Sequence, residues 1–153
     1  MFGASRDATP REIVVQLLAR REYSRAELAQ KLRQKAFESA DIEECLDTVA
    51  EQGLQSDVRF AESFVRSRIL RGQGVIRIKG ELRQRGIHQD ILSEALASVE
   101  ASENVDWFEL ARETLARRFS SPGENPKERA RRERFLAARG FDFEQIRYAL
   151  SCL

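Results

Sequence analysis

The sequence has few of the residues that break helices, bind metals or staple a small fold. It carries three prolines, one histidine and two cysteines in 153 residues. A protein zinc site draws its ligands from Cys and His in close array. His88 with the widely separated Cys45 and Cys152 excludes such a site, and no metal or cofactor is expected. No apolar run approaches the roughly 18 residues that a membrane-spanning helix needs, so no membrane partner is expected. Met1 to Thr9 hold no apolar segment of the kind that marks a secretory leader. Strand signals are nearly absent. Charge of either sign is not in excess: 26 Lys and Arg face 25 Asp and Glu, for a net charge of +1.

One pattern, by contrast, occurs three times. The segments LRQKAFESADIEECL from Leu32, LRQRGIHQDILSEAL from Leu82 and LAARGFDFEQIRYAL from Leu136 align without a gap. Ala36, Gly86 and Gly140 share one slot, and Phe37, Ile87 and Phe141 the next. Further on, Ile42, Leu92 and Ile146 match, as do Cys45, Ala95 and Ala149, and then Leu46, Leu96 and Leu150. The copies are 50 and then 54 residues apart. A unit of this length repeated three times defines a stacked array and not one mixed core. Cys45, in a slot otherwise filled by alanine, reads as a small core residue. In a cytosolic chain both cysteines are free thiols.

Helix signals are dense. Thr9-Pro10-Arg11-Glu12, Ser24-Arg25-Ala26-Glu27 and Asn125-Pro126-Lys127-Glu128 each set a capping residue three before Glu. Pro10 and Pro126 fall at first helical positions, where the missing N–H costs nothing. Asp41 and Asp142 open two more candidate starts. Gly53, Gly72, Gly86 and Gly140 stand where helices end in a left-handed backbone. The expected fold is all-α: three tandem three-helix repeats over residues 1–54, 55–102 and 103–153. Helices are expected near 10–21, 25–36 and 40–52; 57–71, 75–85 and 89–100; and 105–119, 126–139 and 142–152. Phe60, Ala61, Phe64, Val65 and Ile69 form one core stripe at helical period; Phe108, Ala111, Leu115 and Phe119 form another, beside Trp107. Gly80 falls inside a helix, where it marks either close packing or a bend. Ser120 to Glu124 read as a mobile surface loop that takes up the extra four residues of the second spacing.

The near-zero net charge conceals blocks. Residues 11–35 sum to +4, 38–57 to −7, 59–86 to +6, 87–111 to −6 and 112–139 to +5. Each repeat begins basic, and the first two end acidic. A solvated helix face laced with i, i+4 ion pairs is one account of any single block. Three basic blocks at a repeated position point to a shared surface for a polyanion or an acidic partner.

No constellation for catalysis is present. Gly72-Gln73-Gly74 follows no strand and precedes no Gly-Lys-Ser/Thr, so neither dinucleotide nor P-loop chemistry is indicated. No nucleophile neighbours the histidine, and the chain is not expected to be an enzyme.

Certain segments resemble the RecX regulatory proteins of bacteria. Tyr23-Ser24-Arg25-Ala26-Glu27-Leu28 is similar to that family's first-repeat signature, and the stretch from Asp57 to Arg68 (DVRFAESFVRSR) to its most recognisable one. Arg71-Gly72-Gln73-Gly74, Ile78 and Glu81 to Ile87 continue the likeness. Val75 stands where the family commonly has Pro, Ala36 where the first repeat usually has Gly, Gly80 where a better helix former is usual, and His88 where Asp commonly caps. The resemblance implies an elongated, curved array of three three-helix repeats and a cytoplasmic, non-enzymatic, monomeric regulator. Its implied partner is the RecA recombinase filament on single-stranded DNA, whose ATPase, strand-exchange and coprotease activities it would restrain, with weak single-stranded DNA binding compatible. The residues implied as the electrostatic contact surface are Arg59, Arg66, Arg68, Arg71, Arg77, Lys79, Arg83 and Arg85, with Lys127, Arg131, Arg132 and Arg134. The rival reading is a helical module that binds single- or double-stranded DNA directly. The acidic blocks weigh against it, since they would repel phosphate unless turned away.

Overall fold

The computed structural model describes residues 8–153. Nine α-helices, and no strands, occur among the described residues. They are α1 (Pro10–Leu18), α2 (Arg25–Gln34), α3 (Ser39–Glu51), α4 (Asp57–Leu70), α5 (Val75–Gln84), α6 (Gln89–Glu103), α7 (Trp107–Arg118), α8 (Pro126–Ala138) and α9 (Phe143–Ser151).

Short polar side chains set the helix starts. Thr9, Ser24 and Asp142 form full capping boxes with Glu12, Glu27 and Gln145. Each satisfies an amide that the first turn leaves free. Asn125 accepts from the Glu128 amide, but Glu128 reaches back to the amide of Glu124 instead of Asn125. His88 caps α6 through Nδ1, which accepts from the Asp90 amide at 3.2 Å. Asp41 opens no helix: α3 starts at Ser39, and Glu38 caps it without a side-chain bond.

The thrice-repeated pattern is a helix stop. After α2, α5 and α8 the amides of Phe37, Ile87 and Phe141 bond back to the carbonyls of Leu32, Leu82 and Leu136 at 3.3, 3.1 and 3.2 Å. The amides of Ala36, Gly86 and Gly140 bond to Arg33, Arg83 and Ala137. This is the Schellman arrangement, in which the residue after the left-handed one packs on the helix it has just left. Leu32 with Phe37, Leu82 with Ile87, and Leu136 with Phe141 each enter one core. Ala36, Gly86 and Gly140 all have positive φ (67°, 79° and 99°). Glycine takes that conformation freely and alanine does not.

Three separate cores result, one per repeat. Val14, Leu28, Leu32, Leu46 and Val49 centre the first; Phe60, Val65, Ile78, Leu82, Leu92 and Val99 the second; Ala111, Leu115, Leu136 and Ile146 the third. Units of about 50 residues are marginal alone, so the junctions between them matter to stability.

Both junctions are built the same way. The N-terminus of the second helix of one repeat receives the C-terminus of the second helix of the next. At the first, Ser24 Oγ, fully buried, accepts from Glu27 and donates to the Arg85 carbonyl at 2.8 Å. At the second, the Gly74 amide donates to the Arg139 carbonyl at 2.7 Å and the Ile76 amide to Gly140 at 3.1 Å. Helices α8, α5 and α2 therefore run head to tail. Their combined length is roughly 50 Å at 1.5 Å per residue, and the array is elongated.

The glycines of the Gly72-Gln73-Gly74 segment serve this contact. A Cβ on Gly74 would lie 2.5 Å from the Gly140 carbonyl oxygen, and one on Gly72 2.8 Å from Thr114 Oγ1. Likewise a Cβ on Gly86 would strike Ala26 at 2.4 Å. Ala36 occupies the same slot in the first repeat and is exposed, so its methyl group meets no neighbour of that kind among the described residues. Gly80 is neither a contact nor a bend: it lies within α5, and a Cβ there would meet nothing within 4 Å.

Several expectations are corrected. α1 ends at Leu18, because the chain must extend before the Ser24 cap (φ −75°, ψ 157°). α6 continues to Glu103 and closes on Asn104 in the left-handed region, which asparagine tolerates. α7 starts only at Trp107, since Asp106 caps it by accepting from Phe108 and Glu109. Phe108 is not core but 40% exposed, edge-on to Tyr148. Trp107 packs on the second core and donates to Glu100 at 2.5 Å. Cys45 is half-buried beside the first core, and Cys152 is exposed.

The extra four residues of the second spacing are not spent on a free loop. α8 starts three residues ahead of the register set by α5, so part of the insertion is helical. The remainder folds onto it. Gly123 is buried with φ 103°, and a Cβ there would lie 2.8 Å from the Arg129 amide. Arg132 donates to the Ser121 carbonyl at 2.7 Å. The insertion thus covers the N-terminal end of α8.

Candidate functional site: a basic helix column

The head-to-tail column carries eight of the twelve nominated side chains, while Arg59, Arg66 and Arg68 lie on α4 and Arg71 at its end; the twelve divide into two groups. Six are engaged within the protein. Arg59 pairs with Glu22 at 3.0 Å and donates to the carbonyls of Gly53 and Leu54, clamping the first repeat to the second. Arg77 pairs with Glu81 at 3.1 Å and reaches the Ala138 carbonyl across the second junction. Arg66 faces Glu103 at 3.5 Å. Arg85 faces Glu27 at 3.6 Å and lies over the Phe64 ring at 4.8 Å.

Arg68 is the least exposed member of any ion pair among the described residues (14%); it too lies over the Phe64 ring, at 4.3 Å, and is 3.1 Å from Glu81. Its Nε and Glu81 Oε1 are close but not aligned as a hydrogen bond. Burial pulls the Arg68 pKa below its usual value; Glu81 opposes this, while Arg71, Arg85 and Arg77 add to it. Arg132 fills the slot that Leu28 and Ile78 occupy in the other repeats. It lays its guanidinium over Phe119 at 4.4 Å and ties down the inserted loop.

The other six, Arg71, Lys79, Arg83, Lys127, Arg131 and Arg134, have no side-chain partner among the described residues. Lys79 and Arg83 lie on α5, and Lys127, Arg131 and Arg134 on α8. Arg71 closes α4, where its carbonyl accepts from Arg139 at 3.2 Å. The acidic blocks lie mainly on the third helices α3 and α6 and partly answer the basic ones, as in the pairing of Arg25 with Asp47 at 2.9 Å. Sequence reasoning overlooked Arg21. It stacks on Tyr23 at 3.6 Å and lines the same furrow as Arg68, Arg71 and Arg85. Its place in the +4 block was a signal, but nothing local sets it apart from Arg20.

Among the described residues no group of three or more His, Cys, Asp or Glu is placed to hold a metal ion. No helix there is long and apolar enough to cross a membrane.

These features define an all-α tandem-repeat protein whose trihelical units are joined through their second helices and present a segregated charged surface. Three family models match it: the first three-helix domain of RecX over residues 11–48, the second over 56–96 and the third over 104–150. The chain belongs to the RecX family of regulatory proteins. It is 53% identical over 148 residues to regulatory protein RecX of Chromohalobacter salexigens, covering 97% of this chain and 95% of that one. Against regulatory protein RecX of Halorhodospira halophila the identity is 44%, over 96% of this chain and 89% of that one. The crystal structure of RecX from Lactobacillus salivarius superposes with a TM-score of 0.75 at 24% identity, covering 94% of both chains. A second RecX crystal structure gives 0.77 at 21% identity, over 94% of this chain and 72% of that one. The last two likenesses concern the fold alone.

Several of the residues that carried the resemblance in the sequence have a common use, while Phe60, Ala61, Val65, Ile78 and Leu82 build the second core. Tyr23 accepts from Gln55, Ser24 and Gly74 make the junction bonds, and Asp57 accepts from the Arg25 amide at 2.9 Å. They hold one repeat to the next.

Proposed function

We propose that this chain binds the RecA filament assembled on single-stranded DNA and restrains its ATP hydrolysis, strand exchange and coprotease activity, acting as a monomeric cytoplasmic modulator without catalysis of its own. The observation that carries this reading is the string of unpaired cations on α5 and α8, set end to end over tens of ångströms. A filament offers repeated acidic and phosphate groups along its length, and a rigid row of charges can span neighbouring subunits. Electrostatic complementarity of this kind chiefly sets encounter rate and specificity. Family membership supports the regulatory role.

The test is recombinase ATPase on single-stranded DNA with this chain titrated in. Wild type lowers turnover. The double variant Arg83→Glu, Arg134→Glu needs about a tenfold higher dose, because reversing free charges removes attraction without touching a core. An unchanged dose removes the column from the mechanism. Direct DNA action is separated by salt, since a DNA binder loses affinity linearly in log salt with a slope set by the phosphates contacted. Equal affinity for naked DNA and for the filament would favour the rival module.

A further inference from the structure

A second feature of the charged surface lies beside the column, where the first two repeats meet. A concavity of about 300 Å³ opens there between the turn at Arg21 and Glu22, the face of α4 and the end of α5. Arg21, Arg68, Arg71 and Arg85 line it, together with Ser63 and Ser67. Its one lining carboxylate, Glu22, is taken by Arg59 at 3.0 Å. The walls are held in place from outside. Arg21 is fixed on Tyr23 and donates to the Glu22 carbonyl at 2.7 Å. Arg68 and Arg85 share the ring of Phe64, and Arg85 donates to the Glu81 carbonyl at 3.3 Å.

Donors exceed acceptors in this space. Arg71 and both serine hydroxyls have no partner among the described residues, and buried Arg68 Nε lacks an aligned one. Arg21 and Arg85 already face Glu27 at 3.5 and 3.6 Å and Arg68 faces Glu81 at 3.1 Å, so Arg71 is the guanidinium of the four left without a carboxylate among the described residues. Four cations around three carboxylates, of which Glu22 is taken by Arg59, leave positive charge that an added anion would offset. A planar carboxylate is satisfied by one forked guanidinium. Four guanidiniums and two hydroxyls approaching from three elements suit a tetrahedral group with three acceptor oxygens and up to two charges.

The geometry points to a phosphoryl-binding pocket at the junction of the first two repeats, with Arg71, Ser63 and Ser67 as the free donors and Arg21, Arg68 and Arg85 as its fixed walls. An adjoining furrow of about 550 Å³ shares Arg21 and Arg85 and adds Lys31 and Arg33, with one carboxylate, Glu27, that Arg21 and Arg85 face at 3.5 and 3.6 Å. It leaves room for a second phosphate, so the natural source is either a nucleic-acid backbone or a free polyphosphate compound. The pocket is lined by this chain's own residues and stands or falls apart from any recombinase contact.

The test uses the full chain with inorganic pyrophosphate, followed by amide NMR and calorimetry at low salt. Pyrophosphate is expected to shift the amides of Ser63, Ser67 and Arg71. Arg71→Ala weakens binding about tenfold, as loss of a charge-assisted donor does, and Ser67→Ala weakens it less. Arg117→Ala removes the same charge elsewhere and leaves binding unchanged. Displacement of pyrophosphate by oligothymidylate, lost in Arg71→Ala, identifies a nucleic-acid source; binding of pyrophosphate without displacement identifies a free phosphate compound. Equal loss in Arg71→Ala and Arg117→Ala overturns the pocket, as do shifts confined to other residues. A glutamate-rich peptide competing as well as pyrophosphate overturns the phosphate assignment.

Discussion

The amide of Gly74 donates to the carbonyl of Arg139 across 2.7 Å, joining the first residue before α5 to the residue that closes α8. The approach is close enough that a methyl group on Gly74 would sit 2.5 Å from the Gly140 oxygen. Backbone, unlike a long side chain, cannot swing aside. Gly74→Ala is therefore expected to destabilise the protein by about 1–3 kcal/mol, the usual range for overpacking. Thermal unfolding by circular dichroism measures it. A melting temperature equal to wild type would mean that the second junction is not under compression.

Ala36 holds φ at 67° where its two counterparts are glycine. Replacement by glycine relieves a left-handed strain of about 1–2 kcal/mol, offset in part by the freer unfolded chain. A net gain of roughly 0.5–1 kcal/mol is expected from Ala36→Gly on those terms. Gly80→Ala, in open space within α5, should gain up to about 1 kcal/mol from helix propensity alone. Chemical denaturation with an unchanged slope reads both gains.

The division of the arginines makes a contrast in stability. Arg59→Ala removes an ion pair and two bonds to carbonyls and is expected to cost about 1–2 kcal/mol, since exposed contacts of this kind contribute modestly. Arg83→Ala and Arg134→Ala touch nothing internal and should stay within about 0.5 kcal/mol. Were all three alike in urea unfolding, the clamp assigned to Arg59 would be idle.

Glu109 is grasped by Arg112 one turn on, and this hydrogen bond holds its carboxyl pKa below the ordinary glutamate range. A depressed folded value means that the interaction contributes fully above the unfolded pKa and is lost as pH falls through the folded one. Carboxyl-detected NMR should show Glu109 titrating below the ordinary glutamate range, and Arg112→Ala should raise it. The site is exposed, so the effect on overall stability is small.

Much of this architecture was legible because its signals are local. A capping box spans three residues, and the Schellman stop lies within six, so both repeat visibly in the sequence. The second-core stripe of Phe60, Ala61 and Val65 follows from helical period in the same way. The candidate site was less legible. Whether Arg59 or Arg83 is free depends on partners far along the chain, and Arg77 finds its carbonyl 61 residues away. Arg132 breaks an apolar slot, and in sequence it reads as one more surface charge; only Phe119 and Ser121 reveal it as a strut. Phe108 kept the core period but fell on a side of α7 where Tyr148 meets it edge-on and 40% of it stays exposed.

The recurring junction also bears on how the protein is made. Ser24 meets the Arg85 carbonyl only after 61 further residues have been added, and Arg77 waits as long for Ala138. During synthesis the first and second trihelical units each leave the ribosome with one junction unsealed until the next unit has emerged and folded. The partners of the first junction, which ends at Arg85, are therefore all in place before those of the second, which ends at Arg139 and Gly140.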